Sequence, residues 1–588
     1  MRFLCFLFSV VSPISCLLAL NRVEMVQNLD IIRHTLEVGY APAEWKKEFL
    51  GWDLNRAFED SKQEVLAPGW LTMKNYQQIV RNFLGTLQDY HVGVVFYSTE
   101  SAFLPFSVQA IQGKFYVDWV DYKRLGRNFY GIGIGDELVG MDDKPLEQML
   151  SELRSVSRSG LNPATEEALL AMKTTLRMGA VGDRVPQGPV KVSFVSAYDG
   201  SPYSYQLIWR YEPEWIDASS PVHSLLPMGI SAESGGEEEQ PLMMNPIHQI
   251  FASHPAAARP GCLGARKSYL PPLGEIVWSI DDLQDFQRLN GSDSGESSFE
   301  DISFWYAYIY LNPSGRRIGY IRIPHYGASE RESEQFGELM NFLEERTDAL
   351  VIDQLNNPGG YVKFEYDLSS MLAVEPLVTP KHRIKITQRE VARSYRSLSY
   401  INELLQDFEE EIDQSSNGVF NADADDNWED LNYQRLLFMK SYHEFIIQEW
   451  SRGHFLTDPI HIEGIDLINP HPVFRYRKPL LVLINELDFS GADFFPCTLQ
   501  DNKRAILFGT RTAGAGGCVG SAFFPNRCGI AGIFYTGSIA DRPGGEKLEN
   551  LGVTPDVCYE LTKEDLFSGY TGYVDAVNQT LEGMLAPD

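Results

Sequence analysis

Leu480-Leu481-Val482-Leu483-Ile484-Asn485-Glu486-Leu487-Asp488-Phe489-Ser490-Gly491-Ala492-Asp493-Phe494-Phe495 is the stretch whose reading decides the fold. Behind Lys478-Pro479, five aliphatic residues in a row read as a core strand that stops at a serine. Gly491-Ala492 lets the next element begin without a bulky Cβ over Ser490, and a helix starting there aims unbonded amides at the hydroxyl. Judged alone, Ser490 reads first as the N-cap of an ordinary strand-to-helix turn. The nucleophile reading needs support from elsewhere in the chain.

Upstream, Arg317-Ile318-Gly319-Tyr320-Ile321-Arg322-Ile323 and Ala349-Leu350-Val351-Ile352-Asp353 are strand-like, with a helical pattern of Phe336, Leu339, Met340, Phe342 and Leu343 between them. Strand, helix, strand predicts a βαβ sheet. The second strand runs into Asp353-Gln354-Leu355-Asn356-Asn357-Pro358-Gly359-Gly360. Its paired glycines allow backbone amides to approach a substrate carbonyl, so Gly359 or Gly360 with Gly491 can form an oxyanion hole. Asn-Pro-Gly-Gly by itself is only a turn. An acidic, helix-rich insertion interrupts this domain from about 383 to 470, and the domain as a whole covers 271–588.

Residues 23–102 carry helix-like periodicity and end in Gln88-Asp89-Tyr90-His91-Val92-Gly93-Val94-Val95-Phe96, a loop holding His91 that enters a strand. From 103 to 215 short strands take over, around Ile132-Gly133-Ile134-Gly135-Asp136-Glu137-Leu138-Val139-Gly140-Met141-Asp142-Asp143-Lys144-Pro145-Leu146. That phrase resembles the Gly-Asp-then-turn signature of PDZ domains. Residues 216–270 are acidic and then rich in Ala, Pro and Gly, which reads as an exposed linker or an excisable segment.

The chain has 588 residues and a formal net charge of -30, which argues against a general nucleic-acid or anionic-membrane binder. Met1-Arg2 followed by an apolar stretch to Leu20, broken by Ser9, Ser12, Pro13 and Ser15, has the form of a secretory leader over residues 1–22. Without Cys5 and Cys16, five cysteines remain with no metal-type spacing, and an odd number argues against a disulfide scaffold. Asp423, Asp425 and Asn427 imitate the start of a calcium loop, but Trp428 stands where Gly is needed and Gln434 where Glu is needed. No metal or cofactor is assigned.

The order of these parts, followed by Gly509-Thr510-Arg511-Thr512-Ala513-Gly514-Ala515-Gly516, resembles the tail-specific protease family. Most of its members use a Ser-Lys dyad whose lysine falls where this chain has Ala515. The Asp89-Tyr90-His91 phrase resembles the chlamydial protease-like activity factor group of that family, which uses a Ser-His-Glu triad. So do Tyr40-Ala41-Pro42, Trp45-Lys46, Leu50-Gly51-Trp52-Asp53-Leu54, Pro380-Lys381-His382-Arg383 and Phe524-Pro525-Asn526-Arg527. The resemblance implies an α/β multidomain protein with a helical N-terminal region, a PDZ-like β domain and a tail-specific-protease α/β core with a helical insertion.

It further implies a secreted serine endopeptidase acting on protein substrates, with Ser490 as nucleophile, His91 as base and Glu549 as the orienting acid. Asp89 or Asp488 is an alternative orienter, and Lys503 an alternative base. By the same resemblance the protein is a homodimeric zymogen that cuts itself within about 225–268, and it is delivered into a host-cell cytosol. A catalytically silent protein-binding scaffold is the competing expectation, since the usual lysine is absent.

Overall fold

The computed structural model describes residues 5–125, 131–154, 160–214, 259, 261–281, 304–414 and 427–586, with side chains described outside 1–21 and 407–435. Of the expected self-cleavage region 225–268, residues 225–258 and 260 lie outside these residues, as do Asp423 and Asp425. The chain divides into two units, Met1–Glu239 with Gly520–Tyr535, and Gln240–Val519 with Thr536–Asp588.

The first unit opens with helices Cys5–Gly39, Ala43–Leu50, Leu54–Leu66 and Met73–Gly85. Asp53 and Thr72 start the third and fourth by accepting the amides of Arg56 and Asn75. Leu29, Ile32 and Leu36 from the first helix pack with Phe58, Val65, Tyr76, Val80 and Phe83. None of the helices searched among the described residues is long and apolar enough to cross a membrane.

After His91, strand Gly93–Phe96 pairs antiparallel with Ile530–Thr536. An eight-stranded sheet follows, with Phe106, Val117, Phe194 and Trp209 in its core and helices Leu146–Arg154 and Pro163–Thr175 packed on it. Gly135 takes φ 86, and Asp136 closes that turn by accepting the Gly133 amide at 2.6 Å and the Ala197 amide at 2.7 Å.

The second unit holds a seven-stranded sheet in the order Glu275–Ser279, Tyr306–Leu311, Arg317–Arg322, Ala349–Asp353, Leu480–Ile484, Ile506–Gly509 and Val557–Cys558. The first two pairings are antiparallel and the rest parallel, as the βαβ pattern predicts. The central strands are buried throughout, which is why they read as continuous aliphatic runs rather than alternations. The insertion supplies helices Gln388–Gln414 and Asn427–Ser451.

Candidate active site

Parallel pairing in the second unit sets Leu350 opposite Leu480 and Leu481 opposite Ile506, so the three strands end at one edge of the sheet. The loops 354–360, 485–490 and 510–516 therefore emerge together, at the place where open α/β sheets build sites.

Ser490 stands between the Leu480–Ile484 strand and helix Gly491–Asp501 with φ 58 and ψ -116. A serine in this region carries backbone strain of about 1–3 kcal/mol, a feature of nucleophile turns. Asp493, three residues into the turn, holds it there. One of its oxygens accepts the Ser490 and Ala515 amides, each at 2.9 Å; the other accepts the Gly514 amide at 2.9 Å and the Thr512 hydroxyl at 2.5 Å. Burial pushes the Asp493 carboxyl up to about 6, against the downward pull of these four donors. Ala515 is fully buried and tied by its amide to the same carboxylate that fixes Ser490.

The glycines face this turn. Gly359 has φ 90, and a Cβ on it would lie 2.7 Å from the Ser490 Cβ and 2.5 Å from the Phe489 carbonyl oxygen. A Cβ on Gly360 would lie 2.0 Å from the Tyr326 carbonyl carbon, and one on Gly491 would lie 3.3 Å from the Gly360 nitrogen. The expectation for Gly359 needs correction: its amide donates to Asn357 Oδ1 at 2.8 Å in an Asx-type turn, so it shapes the loop instead of pointing at a ligand. Among the described residues the Gly360 and Gly491 amides have no acceptor, and those two remain as donors.

A buried polar frame joins the loop to the turn. The Asn357 amide donates to Asp488 Oδ1 at 3.0 Å, and its carbonyl accepts the Phe489 amide at 2.9 Å. Gln354 Nε2 donates to Asp488 Oδ2 at 3.0 Å and to the Ala492 carbonyl at 2.8 Å, while its Oε1 accepts the Tyr326 hydroxyl at 2.7 Å. Asp488 Oδ2 also accepts the Asn485 amide at 3.0 Å. These bonds occupy the Asp488 carboxylate within its own turn and loop 354–357. Burial drives its pKa well above the usual carboxylate range, while the same N–H donors pull it down.

Glu549 is fully buried, and its Oε2 accepts the Gly516 amide at 3.2 Å. Gly516 has no room for a side chain, since a Cβ would sit 2.4 Å from the Glu549 nitrogen. Segment 514–516 thus lies between the carboxylates of Asp493 and Glu549. Lys503, the alternative base, is exposed and follows the far end of the Gly491–Asp501 helix, whose eleven residues span about 16 Å. That position takes it away from the hydroxyl.

His91 belongs to the first unit and is fully buried. Asp89 Oδ1 accepts the His91 backbone amide at 2.9 Å; neither ring nitrogen has a hydrogen-bond partner among the described residues. Burial lowers the imidazole pKa to about 4, with Asp89 raising it and Lys46 lowering it. His382 stacks on Phe494 and His461 meets the Thr379 hydroxyl at 2.7 Å, both in packing roles.

Sequence reading passed over Asp493, Asn357, Gln354 and Tyr326. Ser490-Gly491-Ala492-Asp493 is a legible capping box, and Asn before Pro-Gly is an Asx-turn signal. Nothing local marks Gln354 or Tyr326, whose partners come from other strands.

Residues 100–216 match the PDZ domain model and residues 317–559 that of peptidase family S41. An uncharacterized protein of Chlamydia muridarum is 33% identical over 96% of this chain and 93% of its own length. A protein of Chlamydia trachomatis is 32% identical over 94% and 92%. Among solved structures, mature CPAF superposes with a TM-score of 0.75 at 31% identity, covering 96% of this chain and 98% of that one, and mature CPAF complexed with lactacystin gives 0.75 at 31% over 96% and 99%.

Proposed function

Because the chain belongs to the CPAF group of the tail-specific protease family, we propose that it is a serine endopeptidase working through Ser490, His91 and Glu549. The observation that carries the reading is the strained Ser490 turn with the unclaimed amides of Gly360 and Gly491 beside it. In this reading the Ser490 oxygen attacks the scissile carbonyl and its proton passes to the neutral imidazole of His91. The carbonyl oxygen, now negative, is met by the two amides, and the imidazolium returns its proton to the leaving amine. Glu549 orients the histidine and stabilises its charged form. With Ala515 in the lysine's place, no dyad of the usual kind is available.

The proposal includes self-processing. Residues at the C-terminal border of the expected excised segment bond to the oxyanion loop: the Gly264 amide donates to the Asn356 carbonyl at 2.9 Å, and Asn356 Nδ2 donates to the Gly261 carbonyl at 2.7 Å. Cutting near this border would release a strap from the loop that carries Gly360. Export by the leader 1–22, delivery into a host cytosol and action as a homodimer are parts of the same proposal. The second reading, a silent protein-binding scaffold, draws on Ala515 and on the unbonded ring of His91.

Incubating the purified full chain with an unstructured protein substrate separates the two readings. The enzyme reading expects the chain to be nicked within 225–268 and the substrate to be cut, both abolished in Ser490→Ala. An intact chain with full activity removes the zymogen part, and persistent activity in Ser490→Ala removes the nucleophile.

A further inference from the structure

Two buried groups of opposite charge hold the His91 loop, and the proposed chemistry uses neither. Lys46, on helix Ala43–Leu50, is fully buried, and its Nζ donates to the Gln88 carbonyl at 3.0 Å. A lysine so deep needs a reason to be there. Gln88 has φ 48, a left-handed conformation that a glutamine rarely adopts, and the lysine binds the carbonyl of that residue. One residue on, Asp89 is 2% exposed: Oδ1 accepts the His91 amide at 2.9 Å and Oδ2 accepts the Tyr40 hydroxyl at 2.9 Å. Lys46 therefore fixes the turn before the histidine, while Asp89 fixes the histidine's own backbone.

We propose that Lys46 and Asp89 are paired positioning residues for His91, fixing its loop and acting on its ring with opposite charge. The inference rests on the reading of His91 as the base. Two charges act on the ring: Lys46 from helix Ala43–Leu50, and Asp89 from the histidine's own loop. Tyr40, just past the Cys5–Gly39 helix, bonds to Asp89. Burial favours the neutral imidazole, Asp89 opposes that preference and Lys46 reinforces it. A base kept neutral while its loop stays rigid is ready to take a proton, and the carboxylate keeps it basic enough to do so.

The test is a titration of the imidazole by nuclear magnetic resonance on the full chain with labelled histidine, His91→Gln identifying the resonance. Lys46→Gln keeps a donor for the Gln88 carbonyl and removes the charge, so the midpoint should rise by about 1 pH unit. Asp89→Asn keeps an acceptor for the His91 amide, and its ring should stay neutral to lower pH than in the wild type. The double variant should return towards the wild type.

Mere loosening of the loop would hydrate the ring and raise the midpoint in both variants. Shifts of the same sign, or none, overturn the proposal. If Lys46→Gln does not fold, Asp89→Asn alone still decides, because loosening and loss of the carboxylate move the midpoint in opposite directions. Fluorophosphonate labelling of the same preparations separates two failures. A labelled wild type with same-sign shifts overturns this pairing alone, whereas an unlabelled wild type with opposite shifts overturns only the catalytic reading.

Discussion

The surroundings of Ser490 and the loop of His91 are both buried and both held by carboxylates, yet they differ in what is left unbonded. Around Ser490 the carboxylates of Asp488 and Asp493 take backbone amides, and two glycine amides are left over. Around His91 the backbone is matched and the reactive ring is left over. The first region offers donors that need no rearrangement when an oxyanion forms, which is where electrostatic catalysis gains most. The second keeps an imidazole neutral by burial. One half of the proposed chemistry is thus built from backbone geometry and the other from the environment of a single side chain.

Gly360→Ala breaks the first half most severely. Its Cβ would meet the Tyr326 backbone at 2.0 Å, so the loop must move and one oxyanion donor with it. The expected loss is about 10²–10³ in kcat, read with a peptide substrate, with a smaller change in KM. Unchanged kcat would mean that the Gly360 amide is not a donor.

Asp493→Ala tests how the turn is held. Removing this carboxylate strands the buried amides of Ser490, Gly514 and Ala515, a cost of about 3 kcal/mol or more in unfolding free energy by denaturant titration. A loss below about 1 kcal/mol would show that helix packing alone sets the strained serine.

The buried histidines sharpen the comparison through pH. Burial lowers His91, His325 and His443 to about 4 and His382 to about 3, all below the unfolded value near 6.5. Between these values the unfolded chain binds protons that the folded chain does not. The stability they contribute is therefore present above about pH 6.5 and lost as pH falls towards 4, by about 3 kcal/mol for His91 alone. Thermal unfolding across this window should show the decline, and His91→Gln should flatten part of it. Lys503→Ala stands at the small end: an exposed residue beyond the far end of the helix should leave rate and stability within about twofold and 0.5 kcal/mol.

Much of this was legible because it is local. Five aliphatic residues before Ser490, and Asn-Pro-Gly-Gly after Asp353, announce buried strands and the turns that end them. Local pattern also misled: two adjacent glycines look equivalent as donors, but the Asn357 side chain claims the Gly359 amide and leaves Gly360. The sequence offers Asp488 as an alternative orienter with no view of its partners, Asn357 and Gln354, which come from a different strand end. The link between Ala515 and Asp493 was equally hidden, since it depends on parallel register between neighbouring strands. Lys46 stands out only within the Trp45-Lys46 phrase of the resemblance and not for its role, as its burial depends on how helix Ala43–Leu50 meets the loop before His91.

Fluorophosphonate labelling of the processed wild-type chain beside His91→Ala and Ser490→Ala tests the central claim most directly. The account predicts rapid labelling of the wild type, none in Ser490→Ala, and a loss of at least about 10³ in rate in His91→Ala. Labelling of His91→Ala at the wild-type rate would contradict the histidine base, and an unlabelled wild type would contradict the enzyme.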